Sequence, residues 1–170
     1  KKKIAANRST LFFARSRRLS EILALKINQD EEQPQAYAHH GSLSKELRNE
    51  VENKLKNGNL KAIIATNSLE LGIDIGFLDA VILVQAPPSI SSAVQRIGRA
   101  GHQVGETSKS AFFPTHFSDL IESAVIADAV ISGDIEAVKP ITNALDVLSQ
   151  IIISMAGTMD WDIDALYNQI

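Results

Sequence analysis

Two arginines and a glycine stand close together in the segment 95–102, which reads QRIGRAGH. If this segment is helical, Arg96 and Arg99 share one face, because residues three positions apart are neighbours on a helix surface. Guanidinium groups are planar, permanently charged donors that suit phosphate oxygens, and Gly98 lets a ligand approach closely. The same spacing is typical of two solvated arginines that stabilise a helix end, and the residues alone slightly favour that second interpretation.

A second polar cluster, ATNSLELGIDIG at 65–76, directly follows an apolar run. Thr66, Asn67 and the next serine supply hydroxyl, amide and backbone donors for phosphate oxygens at the carboxyl end of a strand. Asp74 stands between two glycines and offers an acceptor for a ribose hydroxyl. An equally weighted alternative is a strand–turn–helix link in which Thr66 or Asn67 is the helix N-cap.

The pair His39-His40 precedes Gly41 and Ser42. Adjacent residues of a strand point to opposite faces, so the two histidines form a poor joint metal site. We expect one of them to pack or to form a hydrogen bond instead. Gly41 and Ser42 suit either a phosphate contact or a simple turn.

Several fingerprints of other protein classes are missing from the sequence. It contains no P-loop and no G-x-G-x-x-G, no G-x-S-x-G elbow, and no Asp, Glu and His cluster with metal-ligand spacing. The lack of cysteine excludes disulfides and cysteine-ligated metals and fits a reducing cytosol, so a cytoplasmic location is expected. No apolar run reaches the roughly 18 residues of a membrane span, so no membrane partner is expected.

The net charge of −3 conceals an uneven distribution along the chain. Residues 1–110 contain 16 Lys or Arg against 11 Asp or Glu, a net of +5, whereas residues 111–170 contain one lysine against nine acids, a net of −8. The acidic part is typical of a solvated helical surface. The basic part can still face phosphates, because local potential matters more than total charge.

Short apolar runs alternate with helical periodicity over the first 115 residues, which predicts an α/β fold with a mostly parallel, doubly wound sheet. Near-continuous apolar strands indicate that helices cover both faces. Functional residues then collect at the carboxyl ends of strands. Strands are expected at 10–13, 36–40, 60–66, 80–84 and 111–113, and helices at 17–28, 44–57, 89–97, 119–132, 143–155 and 161–170. We place a domain boundary near 138–140, which gives domains at 1–138 and 139–170.

The order of these segments is more specific than any one of them. Residues 9–17, 38–44, 65–76 and 95–102 resemble motifs IV, IVa, V and VI of superfamily 2 helicases. The phrases AHHGSLS, TNSLELGID and GRAGH are most similar to the large helicase-related (Lhr) family. The resemblance covers about residues 9–130 and implies a C-terminal RecA-like motor lobe; residues 143–170 resemble, more weakly, the start of a winged-helix domain.

The resemblance implies a cleft in which ATP with Mg²⁺ is bound between two RecA-like lobes, the P-loop and the metal-binding residues being on the N-terminal lobe. Arg99 matches the arginine finger, which can be worth about 10³–10⁵ in rate. His102 stands where the superfamily often has a further arginine, which leaves its role open. The implied nucleotide-facing positions are Gly72, Asp74, Gln95, Arg96, Arg99 and His102.

The resemblance also implies a groove for the phosphodiester backbone. Contacts of this kind bind with strong salt dependence and little sequence preference. The implied partners are single-stranded or tailed nucleic acid, with DNA favoured over RNA, and the N-terminal lobe of the same protein. The implied strand-binding positions are Ser16, Arg17, Gly41, Ser42, Thr66 and Asn67.

Taken together, these features predict the second motor lobe of an ATP-dependent helicase or translocase, inactive in isolation. The family also suggests a role in DNA repair. The alternative is a RecA-like module that binds nucleic acid or protein without catalysis. A nucleotide-sugar or dinucleotide enzyme is disfavoured, because the sequence lacks a glycine fingerprint for phosphate.

Overall fold

A computed structural model describes residue 4 and residues 7–70, 78–100, 108–137 and 141–170. Two compact units divide the chain, the first ending at Glu136 and the second spanning 137–170. The boundary expected at 138–140 lies outside the described residues. In chain order the elements are β1 (Thr10–Ala14), α1 (Arg17–Asn28), β2 (Ala36–His39), α2 (Lys45–Lys56), β3 (Ala62–Ala65), a 3₁₀ turn (Asn67–Leu69), β4 (Ala80–Val84), α3 (Ile90–Ile97), β5 (Ser110–Phe113), α4 (Phe117–Ser132), α5 (Leu145–Ala156) and α6 (Ile163–Gln169).

The first unit is built on a five-stranded sheet with the order β2-β3-β1-β4-β5, and every pairing is parallel. The predicted α/β class with a parallel sheet is therefore confirmed. From β1 the chain moves to one side of the sheet to form β2 and β3, and it then crosses β1 to form β4. Such a reversal leaves a crevice at the carboxyl ends of the strands, where ligands of open α/β sheets bind.

Both faces of the central strands are covered, as their continuous apolar sequences predict. On one face, α2 packs against alternate residues of β1, β3 and β4; on the other, α1 packs against the intervening ones. The edge strand β5 differs, because the Phe113 side chain is about half exposed. The first layer contains Leu11, Phe13, Val51, Leu55, Ile63, Val81 and Leu83, and the second contains Phe12, Leu19, Leu23, Ile27, Ile64, Ile82 and Val84.

Serine N-caps start the three helices that follow β1, β2 and β4. Each serine hydroxyl accepts a hydrogen bond from the backbone N–H three residues later, at 3.0 to 3.2 Å. Such a cap satisfies one of the donors left over at a helix start. The α2 helix ends before Gly58, whose φ of +71° suits glycine. These starts are set at Ser16, Ser44 and Ser89.

The later helices begin at residues other than those expected. Helix α4 begins at Phe117 rather than Asp119, because His116 is its N-cap and accepts the Asp119 N–H through Nδ1 at 3.2 Å. Helix α5 begins at Leu145, after Asn143 adopts a positive φ of 56°.

In the second unit, α6 begins at Ile163 behind the Asp162 N-cap. Helices α5 and α6 line an apolar cleft through Leu148, Ile152, Ile163, Leu166, Tyr167 and Ile170. Within the described ranges, no helix combines the length and the apolar character that a membrane crossing requires.

Candidate nucleotide and nucleic-acid interface

The six predicted strand-binding residues all follow the carboxyl ends of three neighbouring strands. Ser16 and Arg17 follow β1, Gly41 and Ser42 follow β2, and Thr66 and Asn67 follow β3. These three strands are adjacent and parallel in the sheet, so the six residues lie along a single edge, hereafter the carboxyl edge. Thr66 is partly exposed and the other five are exposed, so their polar groups can be reached from solvent.

The start of α1 gathers more positive charge than sequence reasoning assigned to it. Arg15, Arg17 and Arg18 are all exposed around the Ser16 cap, and the first turn contains no acidic residue. Cations are unfavourable at a helix N-terminus, where the dipole is positive. This arrangement is poor for helix stability and well suited to an anion. Of these three arginines, sequence reasoning assigned only Arg17 to strand binding, although the run RSRR contains them all.

The turn after β3 is held by hydrogen bonds from other elements. The Thr66 N–H donates to the His39 carbonyl at 3.2 Å, and Asn67 Oδ1 accepts from Arg96 Nη2 at 2.9 Å. Thr66 is the N-cap of the 3₁₀ turn, but its side chain makes no capping hydrogen bond. The Nδ2 group of Asn67 is a donor that suits a phosphate oxygen.

Arg96 is buried, and its guanidinium binds the turn after β3. Nε and Nη2 donate to Glu70 Oε2 at 3.0 and 2.9 Å, and the guanidinium lies 5.1 Å from the centre of the Phe13 ring. With Asn67 as a further acceptor, the buried charge is both paired and hydrogen-bonded. The interpretation of two solvated arginines is therefore wrong for Arg96, whose contacts fix α3 against the turn.

Arg99 lies just beyond α3 and contacts the same turn. Its Nη2 donates to the Glu70 carbonyl oxygen at 2.8 Å, and the side chain is partly exposed. Both arginines thus contact Glu70, so they point to one side although Arg99 lies beyond the helix on which the prediction was based. Gln95 is exposed on the same helix as Arg96. Sequence reasoning did not single out Glu70, although the residue stands inside the cluster 65–76. Gly72, Asp74 and His102 lie outside the described residues.

The two histidines at the end of β2 bind different acidic side chains. His39 Nε2 lies 3.0 Å from Glu52 Oε1, and His40 Nε2 lies 2.8 Å from Glu21 Oε1. Both therefore form hydrogen bonds, and they do not converge on one point. Among the described residues, no group of three or more His, Asp or Glu side chains could hold a metal ion.

Two further carboxylates, which sequence reasoning missed, hold the elements on either side of α3. Asp119 is buried and accepts the N–H groups of Ala86 and Thr115, each at 2.6 Å. Burial opposes ionisation, but these hydrogen bonds hold the pKa of Asp119 below its usual value. They fasten the end of β4 to the start of α4.

Glu136 binds the amino terminus of α3. Its carboxylate accepts the N–H groups of Ile90 at 2.5 Å and of Ser91 at 2.8 Å, and the Ser91 hydroxyl at 2.6 Å. The Ser91 hydroxyl and these N–H donors lower the pKa of Glu136 to about 2. A negative charge there is favourable, because the helix dipole is positive at its start.

The donor set fits part of a nucleotide site. A partly exposed guanidinium at Arg99 and an exposed amide at Gln95 are donors of the kind that bind phosphate oxygens, and the Glu70 carbonyl oxygen holds the Arg99 guanidinium. The described residues do not supply a carboxylate set for Mg²⁺. The groups present therefore suit the phosphate-facing side of a nucleotide that is also held by other residues.

Comparison with known proteins agrees with this geometry. Residues 2–103 match the family described as "Helicase conserved C-terminal domain", and the chain belongs to that family. It is the C-terminal RecA-like motor domain of the superfamily 2 helicases. More particularly, it is of the Lhr type, as its relatives indicate.

One relative is the Lhr helicase/probable uracil glycosylase of Mycolicibacterium smegmatis, 41% identical over 98% of this chain and 13% of that protein. Another is the ATP-dependent helicase Lhr-Core of Methanothermobacter thermautotrophicus, 44% identical over 95% of this chain and 19% of that protein. This chain thus spans a fifth or less of these relatives.

Two solved structures are similar to the fold. Mycobacterium smegmatis helicase Lhr bound to ssDNA and AMP-PNP has a TM-score of 0.89 and 47% identity over 98% of this chain and 22% of that one. The DUF1998 helicase MrfA bound to DNA and AMPPNP has a TM-score of 0.70 and 27% identity, over 86% and 21%.

Proposed function

We propose that this chain is the second motor lobe of an ATP-dependent nucleic-acid helicase or translocase. In this proposal Arg99 is the arginine finger, and the carboxyl edge forms half of the strand-binding groove. The observation that carries the proposal is the convergence of Arg96 and Arg99 on Glu70. The turn that ends at Glu70 begins with Thr66 and Asn67, so phosphate-binding and strand-binding candidates share one short segment.

The proposed ligands follow from the relatives. The Mycobacterium smegmatis Lhr structure holds ssDNA and AMP-PNP, and its 47% identity to this chain supports the same classes of ligand here. We therefore assign ATP with Mg²⁺ as the nucleotide and DNA as the favoured track, with an N-terminal lobe supplying the P-loop and the metal ligands. We also propose that this role is cytoplasmic and belongs to DNA repair.

The chemistry assigned to this lobe is electrostatic. The Arg99 guanidinium is permanently charged and stabilises the negative charge that develops during phosphoryl transfer. Its contact with the Glu70 carbonyl oxygen restricts the guanidinium before the nucleotide binds, which reduces the reorganisation needed for catalysis. Along the carboxyl edge, N–H groups and exposed arginines bind backbone phosphates, so binding is expected to be salt-sensitive and tolerant of sequence.

Two domains are proposed for the chain, the motor lobe at 1–138 and the start of a winged-helix domain at 139–170. Helices α5 and α6 leave large apolar side chains exposed, including Leu145, Ile153 and Ile163. Apolar helix faces of this kind need further packing partners, which supports a domain that continues with additional elements.

Arg99→Ala in the full-length protein tests the proposed catalytic role. We expect ssDNA-stimulated ATP hydrolysis to fall about 10²-fold or more while AMP-PNP binding persists, because the finger acts on charge in the transition state. Steady-state turnover and nucleotide binding would be measured side by side.

Arg8→Ala is the matched control, because it removes an exposed arginine that precedes β1. Its turnover should stay near the wild-type value. Hydrolysis within a factor of about two of wild type in Arg99→Ala would remove the finger assignment and favour a binding module without catalysis.

A further inference from the structure

The side chain of His39 joins three elements beneath the turn after β3. His39 ends β2 and is almost fully buried. Its Nδ1 lies 2.9 Å from the Ser68 hydroxyl oxygen in the 3₁₀ turn, and its Nε2 lies 3.0 Å from Glu52 Oε1 on α2. A single imidazole thus contacts the turn on one side and a helix on the other.

The hydrogen bonds define which nitrogen holds the proton. Burial lowers the pKa of His39 below its usual value, even though Glu52 opposes this shift, so the ring is neutral at pH 7. The Glu52 carboxylate can only accept, so Nε2–H donates to it and Nδ1 is left as an acceptor. The Ser68 hydroxyl oxygen lies 2.9 Å from both Nδ1 and the His39 carbonyl oxygen, so its single proton is shared between these two acceptors of His39. The same carbonyl oxygen also accepts the Thr66 N–H at 3.2 Å.

The surrounding charged groups leave Glu52 as the partner that orients the ring. Arg48 on α2 and the adjacent His40 both disfavour a positive charge on His39, while Glu52 accepts its Nε2–H. Oriented in this way, Nδ1 faces Ser68. The relay therefore runs from Glu52 through His39 to Ser68, and Thr66 and Asn67 lie on the same turn as its last member.

We infer that His39 and Glu52 are positioning residues for nucleic-acid binding, because they fix the Ser68 hydroxyl and with it the Thr66–Asn67 turn. This inference rests on the proposed function. Neither residue contacts the strand in this account. Glu52 sets the ring orientation, His39 holds Ser68 and the Thr66 N–H, and the polar groups of Thr66 and Asn67 are thereby held at the carboxyl edge.

The direction in which ssDNA affinity changes distinguishes a positioning role of Glu52 from a simple effect of its negative charge. Replacing Glu52 with alanine removes a negative charge, which by long-range electrostatics favours binding of a polyanion. Loss of positioning predicts the opposite, weaker binding. Glu50→Ala is the matched control, because Glu50 is on the same helix and its carboxylate pairs with Lys54 at 2.7 Å on the exposed side. It removes an equal charge and leaves the relay intact.

The experiment compares ssDNA affinity and AMP-PNP affinity for variants of the full-length protein. Glu52→Ala should weaken ssDNA binding about five- to tenfold, the effect of losing one positioning hydrogen bond. Ser68→Ala should weaken it at least as much, because it also removes the contact with the His39 carbonyl oxygen. AMP-PNP affinity should stay within about twofold of wild type. The double variant should lose little more than Ser68→Ala alone, because Glu52 acts only through the ring that Ser68 contacts. Glu50→Ala should bind ssDNA as tightly as wild type or more tightly.

Two further variants of His39 test the two sides of the imidazole ring separately. His39→Asn places an amide where Nδ1 was and keeps a side-chain partner for Ser68. His39→Gln reaches toward Glu52 and leaves Ser68 only the backbone carbonyl oxygen of residue 39. We expect His39→Asn to retain more ssDNA affinity than His39→Gln. Thermal unfolding of each variant separates this order from a general loss of structure, because both substitutions introduce an amide into the same buried site.

Three results would overturn the inference. The first is an ssDNA affinity within twofold of wild type for both Glu52→Ala and Ser68→Ala, when the wild-type protein itself shows DNA-stimulated ATP hydrolysis. Another is an equal loss of ssDNA and AMP-PNP affinity, which is the result of a purely structural role. The third is tighter ssDNA binding by Glu52→Ala to the same degree as by Glu50→Ala. A wild-type protein that neither binds ssDNA nor hydrolyses ATP would instead refute the proposed function.

Discussion

The two edges of the parallel sheet hold their charged side chains in different ways. At the amino edge, before β1 and β4, Arg8 meets Asp79 at 3.5 Å with its side chain 89% exposed. At the carboxyl edge, Arg96 meets Glu70 at 2.9 Å with its side chain only 4% exposed. Water and salt screen the first pair, so it contributes little to stability. The second pair is buried away from water, and a buried charge is tolerated only when it has close partners.

This difference indicates that buried charged groups hold other side chains in position at the carboxyl edge and not at the amino edge. Burying a charge is costly, and an apolar pair of equal size would often be as stable. The carboxyl edge nevertheless contains the buried Arg96, His39 and Asp119, each with polar partners on other elements. We interpret these groups as positioning the exposed donors above them, whereas the Arg8–Asp79 pair marks an ordinary surface.

Glu70→Ala gives the largest expected change in this comparison. It leaves the buried Arg96 guanidinium without its carboxylate, and we expect the motor lobe to lose about 3 kcal/mol of unfolding free energy. Hydrogen exchange of the β3 and α3 amides in the full-length protein would measure the loss.

Asp79→Ala provides the amino-edge counterpart to Glu70→Ala. Because the Arg8 side chain is largely exposed and lies 3.5 Å from Asp79, the ion-pair contribution should be at most about 1 kcal/mol. Comparable losses in the two variants, after allowance for the Asp79 contacts to the Arg8 and Ser9 N–H groups, would contradict the contrast between the edges.

Glu136→Gln is expected to have a smaller, pH-dependent effect. The pKa of Glu136 is lowered to about 2 in the folded chain from an ordinary value of 4.5. An acid whose folded pKa is lowered adds stability above its unfolded pKa and loses it as the pH falls through the folded one. Protection of the Ile90 and Ser91 amides should therefore decline between pH 4.5 and about 2 in the wild type.

The glutamine variant should lack this pH-dependent contribution from residue 136. Hydrogen exchange at those two amides, corrected for the intrinsic effect of pH, provides the measurement. Glu122→Gln on α4 is the control, because it neutralises another exposed acid and should leave the decline unchanged. A decline in amide protection of equal size in Glu136→Gln would show that groups other than Glu136 cause it.

Local patterns predicted much of the fold. Continuous apolar runs predicted the strands, and local patterns predicted helix starts at residues 17, 44 and 89, each within one residue of the start that a serine cap sets. The structure of the later helices was harder to predict. His116 is an unusual N-cap, and the positive φ of Asn143 delays the start of α5.

The site was predicted in outline but not in its contacts. A spacing of three residues indicated that Arg96 and Arg99 share a side. It could not indicate that Glu70, which is 26 residues before Arg96, supplies the counterion, because that contact depends on the packing of α3 against the turn after β3. The contact of Glu136 with the Ile90 N–H spans 46 residues, so it too depends on packing that local sequence patterns do not indicate.

Hydrogen exchange of the full-length protein with and without ssDNA and AMP-PNP tests the central claim most directly. If the carboxyl edge faces the strand and the nucleotide, ligand-dependent protection should appear at residues 15–18, 41–44 and 66–70. The amino-edge residues 7–9 and 78–79 should stay unchanged. Protection at the amino edge with none at the carboxyl edge, in a protein that binds both ligands, would contradict the account.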